Sequence, residues 1–319
     1  MLTLTQRAYT GEADLNAIAN LINACDEVDK LEQGTTVAEL QTRFSTPSID
    51  LQRDLHLWLN GDDELIGFGC LRITEPSESI DGFLGFYVHP SHRHINLESE
   101  IIAWAENRMD EVQQEQQIPV RLGLNARDSQ CDRIKMIENH GFHIARYFFT
   151  MECNLLSPIP QPQFPEGFSI RHTNGEAEAQ AWLEMFNNSF MDHWNHHDLT
   201  IENQIHFINN PSYRPELDLI TVAADGTFAA FCCCHISPED NARIGRSEGW
   251  IGVLGTIRNY RRIGLGKAML LSGLHKLKSA GMNTARLGVD ADNPSGALRL
   301  YESVGFYKVY TSISYMKAI

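Results

Sequence analysis

Apolar residues recur at the spacing of one helix face in LNAIANLINAC, Leu15–Cys25, and again in AQAWLEMFNNSF, Ala179–Phe190. Short runs rich in apolar and β-branched residues follow each of them: LIGFGCLRI from Leu65 and FAAFCCCHI from Phe228. These predict strands. A turn and an apolar helix come next in both places, HPSHRHINLESEIIAWAE at His89–Glu106 and RNYRRIGLGKAMLLSGL at Arg258–Leu274. Another short strand, another helix and a final strand close each series, YFFTMECNL in the first and VYTSISYMKAI in the second. Strands alternating with helices in this way predict a mixed α/β fold, helices packed on a central sheet.

The series occurs twice at a near-constant offset. LTQR ends at Arg7 and FSIR at Arg171, 164 residues apart; the LIGFGCLRI and FAAFCCCHI strands are 163 apart. RLGLNA and RLGVDA start at Arg121 and Arg286, 165 apart, and ENHGF and ESVGF end at Phe142 and Phe306, 164 apart. So long a period indicates a duplicated domain, not a solenoid. Between the copies lies LLSPIPQPQFPEGFSIRH, with prolines at 158, 160, 162 and 165. Proline removes amide donors and disfavours helix before it. The expected boundaries are a first domain over 1–154, an extended linker over 155–167 and a second domain over 168–319.

The chain of 319 residues is long enough for two such cores, and 43% hydrophobic with 21% charged residues fits a globular protein. No apolar run reaches membrane-spanning length, and the start lacks the layout of a secretory signal, so a cytoplasmic protein is expected. The seven cysteines form no C-x-x-C pair, and the consecutive Cys232, Cys233 and Cys234 point to alternate faces of a strand. They read as small apolar fillers, and no metal is expected. Residues 1–154 hold 12 Lys+Arg against 25 Asp+Glu, a balance of −13, whereas residues 155–319 hold 14 against 16, a balance of −2. An anionic ligand therefore favours the second half, and the absence of a basic cluster disfavours nucleic acid.

The candidate chemistry sits where GWIGVLGTI, Gly249–Ile257, runs into the second turn. Arg261, Gly264 and Gly266 form R-x-x-G-x-G at the start of a helix. A helix N-terminus presents unpaired amides and positive partial charge. Glycines let an anion approach the backbone, and Arg261, Arg262 and Lys267 add charge. The spacing is neither the dinucleotide fingerprint nor a P-loop.

The order strand, R-x-x-G-x-G, helix, short strand, asparagine, helix, tyrosine and GF, over Val253–Phe306, resembles the GNAT family of acyl-CoA-dependent acetyltransferases. The duplicated chain is similar to tandem GNAT proteins of the mycothiol synthase type. The resemblance implies two tandem domains, each a mixed sheet flanked by helices, and acetyl-CoA as the donor. It implies that Leu254, Gly255 and Thr256 bond the pantetheine arm and acetyl carbonyl. It places Arg261, Arg262, Ile263, Gly264, Leu265, Gly266 and Lys267 around the pyrophosphate, Asn293 beside the cofactor, and Tyr301 as proton donor to the departing thiolate. The stretch from Asn293 to Tyr301 is one residue longer than the family's usual spacing. Where related proteins carry a strand glutamate as base, this chain has Trp250; Glu248, two residues earlier on the same face, is the candidate base. FMDHWNHH, Phe190–His197, matches the segment between the first helices of the second domain, and its His193 and Trp194 are candidates to line the acceptor pocket.

The expected activity is N-acetylation of a small amine, amino-sugar conjugate or peptide amine by the second domain. A different acyl-CoA or acceptor, or a non-catalytic CoA-binding scaffold, are the alternatives; the sequence does not speak to oligomeric state. In the first copy, Asn96 and Glu98 replace the loop glycines and Ile137 stands five residues before Phe142, where the second copy has Tyr301. A side chain crowds the phosphate and a carboxylate repels it. The first domain is therefore expected not to bind coenzyme A.

Overall fold

The computed structural model describes residues 4–45, 49–194 and 196–319. In chain order the elements are β1 (Thr5–Ala8), α1 (Leu15–Asp29), α2 (Val37–Phe44), β2 (Leu55–Leu59), β3 (Leu65–Ile73), β4 (Ile80–Val88), α3 (Leu97–Gln116), β5 (Val120–Arg127), α4 (Cys131–Asn139) and β6 (His143–Asn154). Then follow β7 (Phe168–His172), α5 (Ala179–Phe190), α6 (Ile201–Ile208), β8 (Asp218–Ala223), β9 (Phe228–His235), α7 (Pro238–Ile244), β10 (Glu248–Thr256), α8 (Leu265–Ser279), β11 (Thr284–Asp290), α9 (Ala297–Glu302) and β12 (Tyr307–Ala318). The architecture is mixed α/β. No helix among the described residues is long and apolar enough to cross a membrane.

Local sequence accounts for the helices. On α1 the buried residues are Leu15, Ile18, Ala19, Leu21, Ile22 and Cys25, one face at helical spacing. Thr36 caps α2 in a reciprocal box with Glu39, so two otherwise unpaired amides are satisfied. On α8 the last turn carries Lys276 and Lys278, the favoured sign at a helix C-terminus.

Two compact units emerge: Met1–Arg146 together with Ile313–Ile319, and Tyr147–Ser312. In the first, β1, β2, β3 and β4 pair antiparallel in sequence order and β4 pairs parallel with β5. The Ile313–Ala318 end of β12 lies next to β5, and the Ile319 amide donates to the Val120 carbonyl at 3.2 Å. The second repeats the plan. Strands β7, β8, β9 and β10 pair antiparallel, β10 pairs parallel with β11, and β6 lies antiparallel on the far side of β11, from Asn154 opposite Thr284 to Phe148 opposite Asp290.

The units differ from the expected boundaries in two ways. Each takes its last strand from the end of the other half of the sequence, because the apolar faces of Met151 and Cys153, and of Ile313 and Tyr315, are buried in those cores. And residues 155–167 are not a free linker. Lys278 Nζ donates to the Ser157 carbonyl at 2.9 Å, His275 Nε2 lies 3.1 Å from the Pro160 carbonyl, and Ile159 and Phe164 pack on the core of the second unit. The prolines make the segment extended, as expected, but an extended segment with alternating apolar side chains still packs.

Tyr315, fully buried in the first unit, makes the return of the C-terminus testable. Tyr315→Ala should destabilise the protein by about 3–5 kcal/mol, the usual cost of emptying an aromatic core site. Chemical denaturation monitored by circular dichroism reads this loss.

Candidate active site

Strand β10 is built differently from β4, its counterpart. Its pairing with β9 shifts register between Ile251 and Val253, leaving Gly252 as a β-bulge, whereas β3 and β4 pair without interruption from Gly67–Val88 to Ile73–Gly82. A bulge leaves one residue without a cross-strand partner and re-aims its neighbours. A side chain there would be tight: a Cβ would stand 3.0 Å from His235 Nδ1 and 3.3 Å from the Cys233 carbonyl.

Strands β10 and β11 pair only at Glu248–Thr284, Gly249–Ala285 and Trp250–Arg286, then run on to Thr256 and Asp290 without pairing to each other. Beside this parting the face of Gly288 is open. A Cβ on Gly288 would meet nothing within 4 Å. The equivalent Gly123 of the first unit is walled in, with Phe83 at 2.8 Å and Met316 at 2.9 Å from the same imaginary atom. In both units the parallel strands part, but only in the second is the glycine face beside the parting open; in the first it is covered by side chains.

Side chains of β10 alternate about this slot. Gly255 faces α5, where a Cβ would collide with Phe231 at 2.4 Å and approach Ser189 at 3.0 Å. Leu254 packs in the core under α8, and Thr256 Oγ1 lies 3.6 Å from where a Cβ of Gly266 would stand. The Ser189 hydroxyl is buried here with no hydrogen-bond partner.

At the far end of β10 the turn enters α8 through Arg262 at φ 65° and Gly264 at φ 100°, left-handed conformations that favour glycine. No side chain caps α8, and nothing lies within 4 Å of a Cβ on Gly264. The first amides of a 15-residue helix thus face outward, beside the exposed Arg262, Ile263 and Lys267, while Leu265 is buried and anchors the turn. This cradle suits a phosphate.

Arg261 has another task. Its guanidinium donates to Asp192 at 2.8 Å, to the Ser189 carbonyl at 2.9 Å and to the Thr256 carbonyl at 3.1 Å. Asp192 is shared with Arg258, and the two arginines hold its carboxyl below the usual carboxylate range. Arg93 of the first unit does the same, to Asp29 at 2.7 Å and to the Val88 carbonyl at 3.4 Å, in a turn without the glycines. The arginine is retained where the glycines are lost, and in both units it clamps the turn onto the preceding helix.

Glu248 is also reassigned. It is 6% exposed and lies 3.0 Å from Arg286, and it accepts a hydrogen bond from the Trp250 indole at 3.0 Å. Arg286 is held from its other side by Glu152 at 3.2 Å. Removing one member of a buried pair costs about 3–5 kcal/mol; Glu248 anchors the point where β10 and β11 part and is not placed as a base. Asn293 closes its own turn, its Oδ1 accepting from the Ser295 amide at 2.8 Å, and its Nδ2 lies 3.2 Å from His193 Nε2.

Tyr301 is 8% exposed, packs edge-on to Phe306 at 6.0 Å, and burial pushes its phenol pKa well up, so it stays protonated. His193 packs on Phe190 at 4.7 Å and Trp194 on Phe148 at 6.0 Å. His196 turns away to Asp198 at 2.9 Å; Asn195 of the same segment lies outside the described residues. Among the described residues no group of three or more His, Cys, Asp or Glu is arranged to hold a metal. Cys232 and Cys234 share one face, their sulfurs 3.8 Å apart under Gly273, and all three cysteines are buried.

Parting strands, a bulge beside them and an uncapped helix at their end bring together the features that a thioester-carrying, phosphate-bearing donor can use. Residues 179–306 match the acetyltransferase (GNAT) family, and the chain is an N-acetyltransferase of that type, with acetyl-CoA as acyl donor. It is 29% identical over 304 residues to the mycothiol acetyltransferase of Thermobispora bispora, covering 95% of this chain and 96% of that one. It is 28% identical to the mycothiol acetyltransferase of Acidothermus cellulolyticus, over 79% of this chain and 76% of the other. A GCN5-related N-acetyltransferase from Sphaerobacter thermophilus superposes with a TM-score of 0.73 at 25% identity, over 99% of this chain and 95% of that one. A tandem GNAT protein from the clavulanic acid biosynthesis pathway shares the fold, with a TM-score of 0.72 at 13% identity, over 100% of this chain and 98% of its own.

The two glycines of the slot separate binding from folding. Gly288→Val should abolish stabilisation by acetyl-CoA in a thermal-shift titration while changing stability without ligand by less than about 0.5 kcal/mol. Gly123→Val should destabilise the apo protein by about 1–3 kcal/mol through overpacking.

Proposed function

We propose that the second unit carries the reaction and acetylates the primary amine of a small acceptor by direct transfer, while the first unit binds no coenzyme A. The observation that carries this reading is the contrast between two copies of one fold. The second has the bulge at Gly252, the open face of Gly288, the left-handed glycine ahead of α8 and Tyr301. The first has a continuous ladder, Gly123 covered by Phe83 and Met316, Glu98 and Glu100 in the first turn of α3, and Ile137 buried in place of the tyrosine.

On this reading the amides opening α8, with Arg262 and Lys267, hold the pyrophosphate. The backbone of Leu254, Gly255 and Thr256 bonds the peptide-like arm. A backbone amide beside the bulge supports charge developing on the carbonyl oxygen. Tyr301, kept protonated by burial, supplies the proton of the departing thiolate. His193 and Trp194, on the α5 side of the slot, line the acceptor. The relatives named mycothiol acetyltransferase support an amino-sugar conjugate as acceptor over a protein amine.

A thermal-shift titration with acetyl-CoA should show stabilisation of about 2.7 kcal/mol at a hundred times the dissociation constant. Release of free CoA thiol, followed across glucosamine, cysteinyl amides and short peptides, identifies the acceptor. In that assay Tyr301→Phe should lower kcat by about a hundredfold with the acetyl-CoA shift intact; an unchanged kcat removes Tyr301 from the mechanism.

A further inference from the structure

With Glu248 committed to Arg286, the second unit needs another group to take the amine's proton. His235 ends β9 directly opposite Trp250. Its ring stacks on the Trp250 indole with centroids 6.2 Å apart and planes 11° from parallel. That indole is in turn held by its hydrogen bond to Glu248, so the buried Glu248–Arg286 pair fixes the histidine through the tryptophan. His235 Nδ1 points at the bulge: it is the nearest atom to a Cβ built on Gly252, where β10 begins its unpaired run toward the slot. The residue is exposed, and among the described residues nothing hydrogen-bonds either ring nitrogen.

The duplicated half provides an internal comparison. The residue of β3 that matches His235 is Arg72, opposite Phe83 as His235 is opposite Trp250, and its guanidinium lies 5.0 Å from the Phe83 ring centroid. The stacked pair is retained in both copies. Only the second places on it a side chain that can accept a proton, since arginine stays protonated. The same copy has Tyr301 where the first has Ile137.

We propose that His235 is the general base of acetyl transfer, accepting a proton from the acceptor's ammonium group; this rests on the second unit being the catalytic one. The freed amine lone pair attacks the thioester carbonyl, a C–N bond forms and the C–S bond breaks. The thiolate takes the Tyr301 proton, and the second proton shed by nitrogen returns to that tyrosine. The products are the amide, coenzyme A as thiol, and protonated His235, which releases its proton to solvent. His235 and Tyr301 approach from opposite faces of the sheet. Trp250 and Gly252 face away from α8, whereas Tyr301 packs in the core beneath it, and the parting of β10 and β11 makes one bound thioester reachable from both. The charged groups about His235 include Asp240 of α7, itself paired with Arg243 at 2.8 Å, and, beyond Trp250, Glu248 with Arg286 at 3.0 Å and Arg246 at 3.7 Å. Desolvation lowers the imidazole pKa and Asp240 opposes the shift.

The test uses the full chain with glucosamine, a cysteinyl amide and a short peptide as amines, following the fastest. His235→Gln should lower kcat/KM by about a hundredfold or more, with the acetyl-CoA thermal shift unchanged. The wild-type profile should fall with acid below an apparent pKa under the usual histidine value, and this limb should vanish in the variant. Added imidazole should restore part of the activity of His235→Ala. If no amine is turned over, acetyl-CoA hydrolysis is compared in the same proteins, with water in the amine's place. Equal rates in wild type and His235→Gln, or an acid limb that survives the substitution, overturn the assignment. A wild-type protein that neither binds acetyl-CoA nor releases thiol instead refutes the catalytic reading of the second unit.

Discussion

The second unit depends on two parallel strands that stop bonding to each other. Beyond Trp250 and Arg286 the backbones of β10 and β11 part, and unpaired backbone groups are costly unless something satisfies them. The sheet sustains the opening by fixing both of its ends. At the closed end Arg286 sits between Glu248 and Glu152. At the open end Arg261 ties the Thr256 carbonyl to Asp192 and Ser189. A peptide-like ligand arm can then supply the bonds the neighbouring strand withholds.

The first unit keeps the clamps, and its strands part as well, β4 and β5 pairing only as far as Phe83 and Gly123. Asp81 meets Arg121 at 2.7 Å where β4 and β5 still pair, and Arg93 ties Asp29 to the end of β4. Phe83 and Met316 cover the face of Gly123, whose counterpart Gly288 is open. The clamps are common to both copies, whereas the bulge, the open glycine and the side chains proposed to handle protons belong to the second alone. Duplication lets the two sets be told apart within one chain.

Much of this was legible in residue order. The offset of about 164 residues marked the duplication. Apolar periodicity marked the helices, and R-x-x-G-x-G before α8 marked the phosphate cradle, because a glycine with positive φ ahead of an uncapped helix is a local property. The loss of that cradle at Asn96 and Glu98 was equally local; Asn96 adopts φ 60° as the cap of α3.

What the sequence could not decide were pairings across the sheet. Arg261 read as a phosphate ligand, and that Asp192, 69 residues away, holds it was not visible along the chain. Glu248 and Trp250 share a strand face, but only Arg286, brought alongside by β11, makes the carboxylate an anchor. His235 lay unnoticed in an apolar strand because its neighbours, Trp250 and the bulge at Gly252, belong to the next strand, and register is set by packing and not by spacing along the chain. The exchange of the last strands was hidden for the same reason. Alternating apolar residues state that one face of a strand is buried; which core buries Tyr315 or Met151 is settled only when the whole chain has folded.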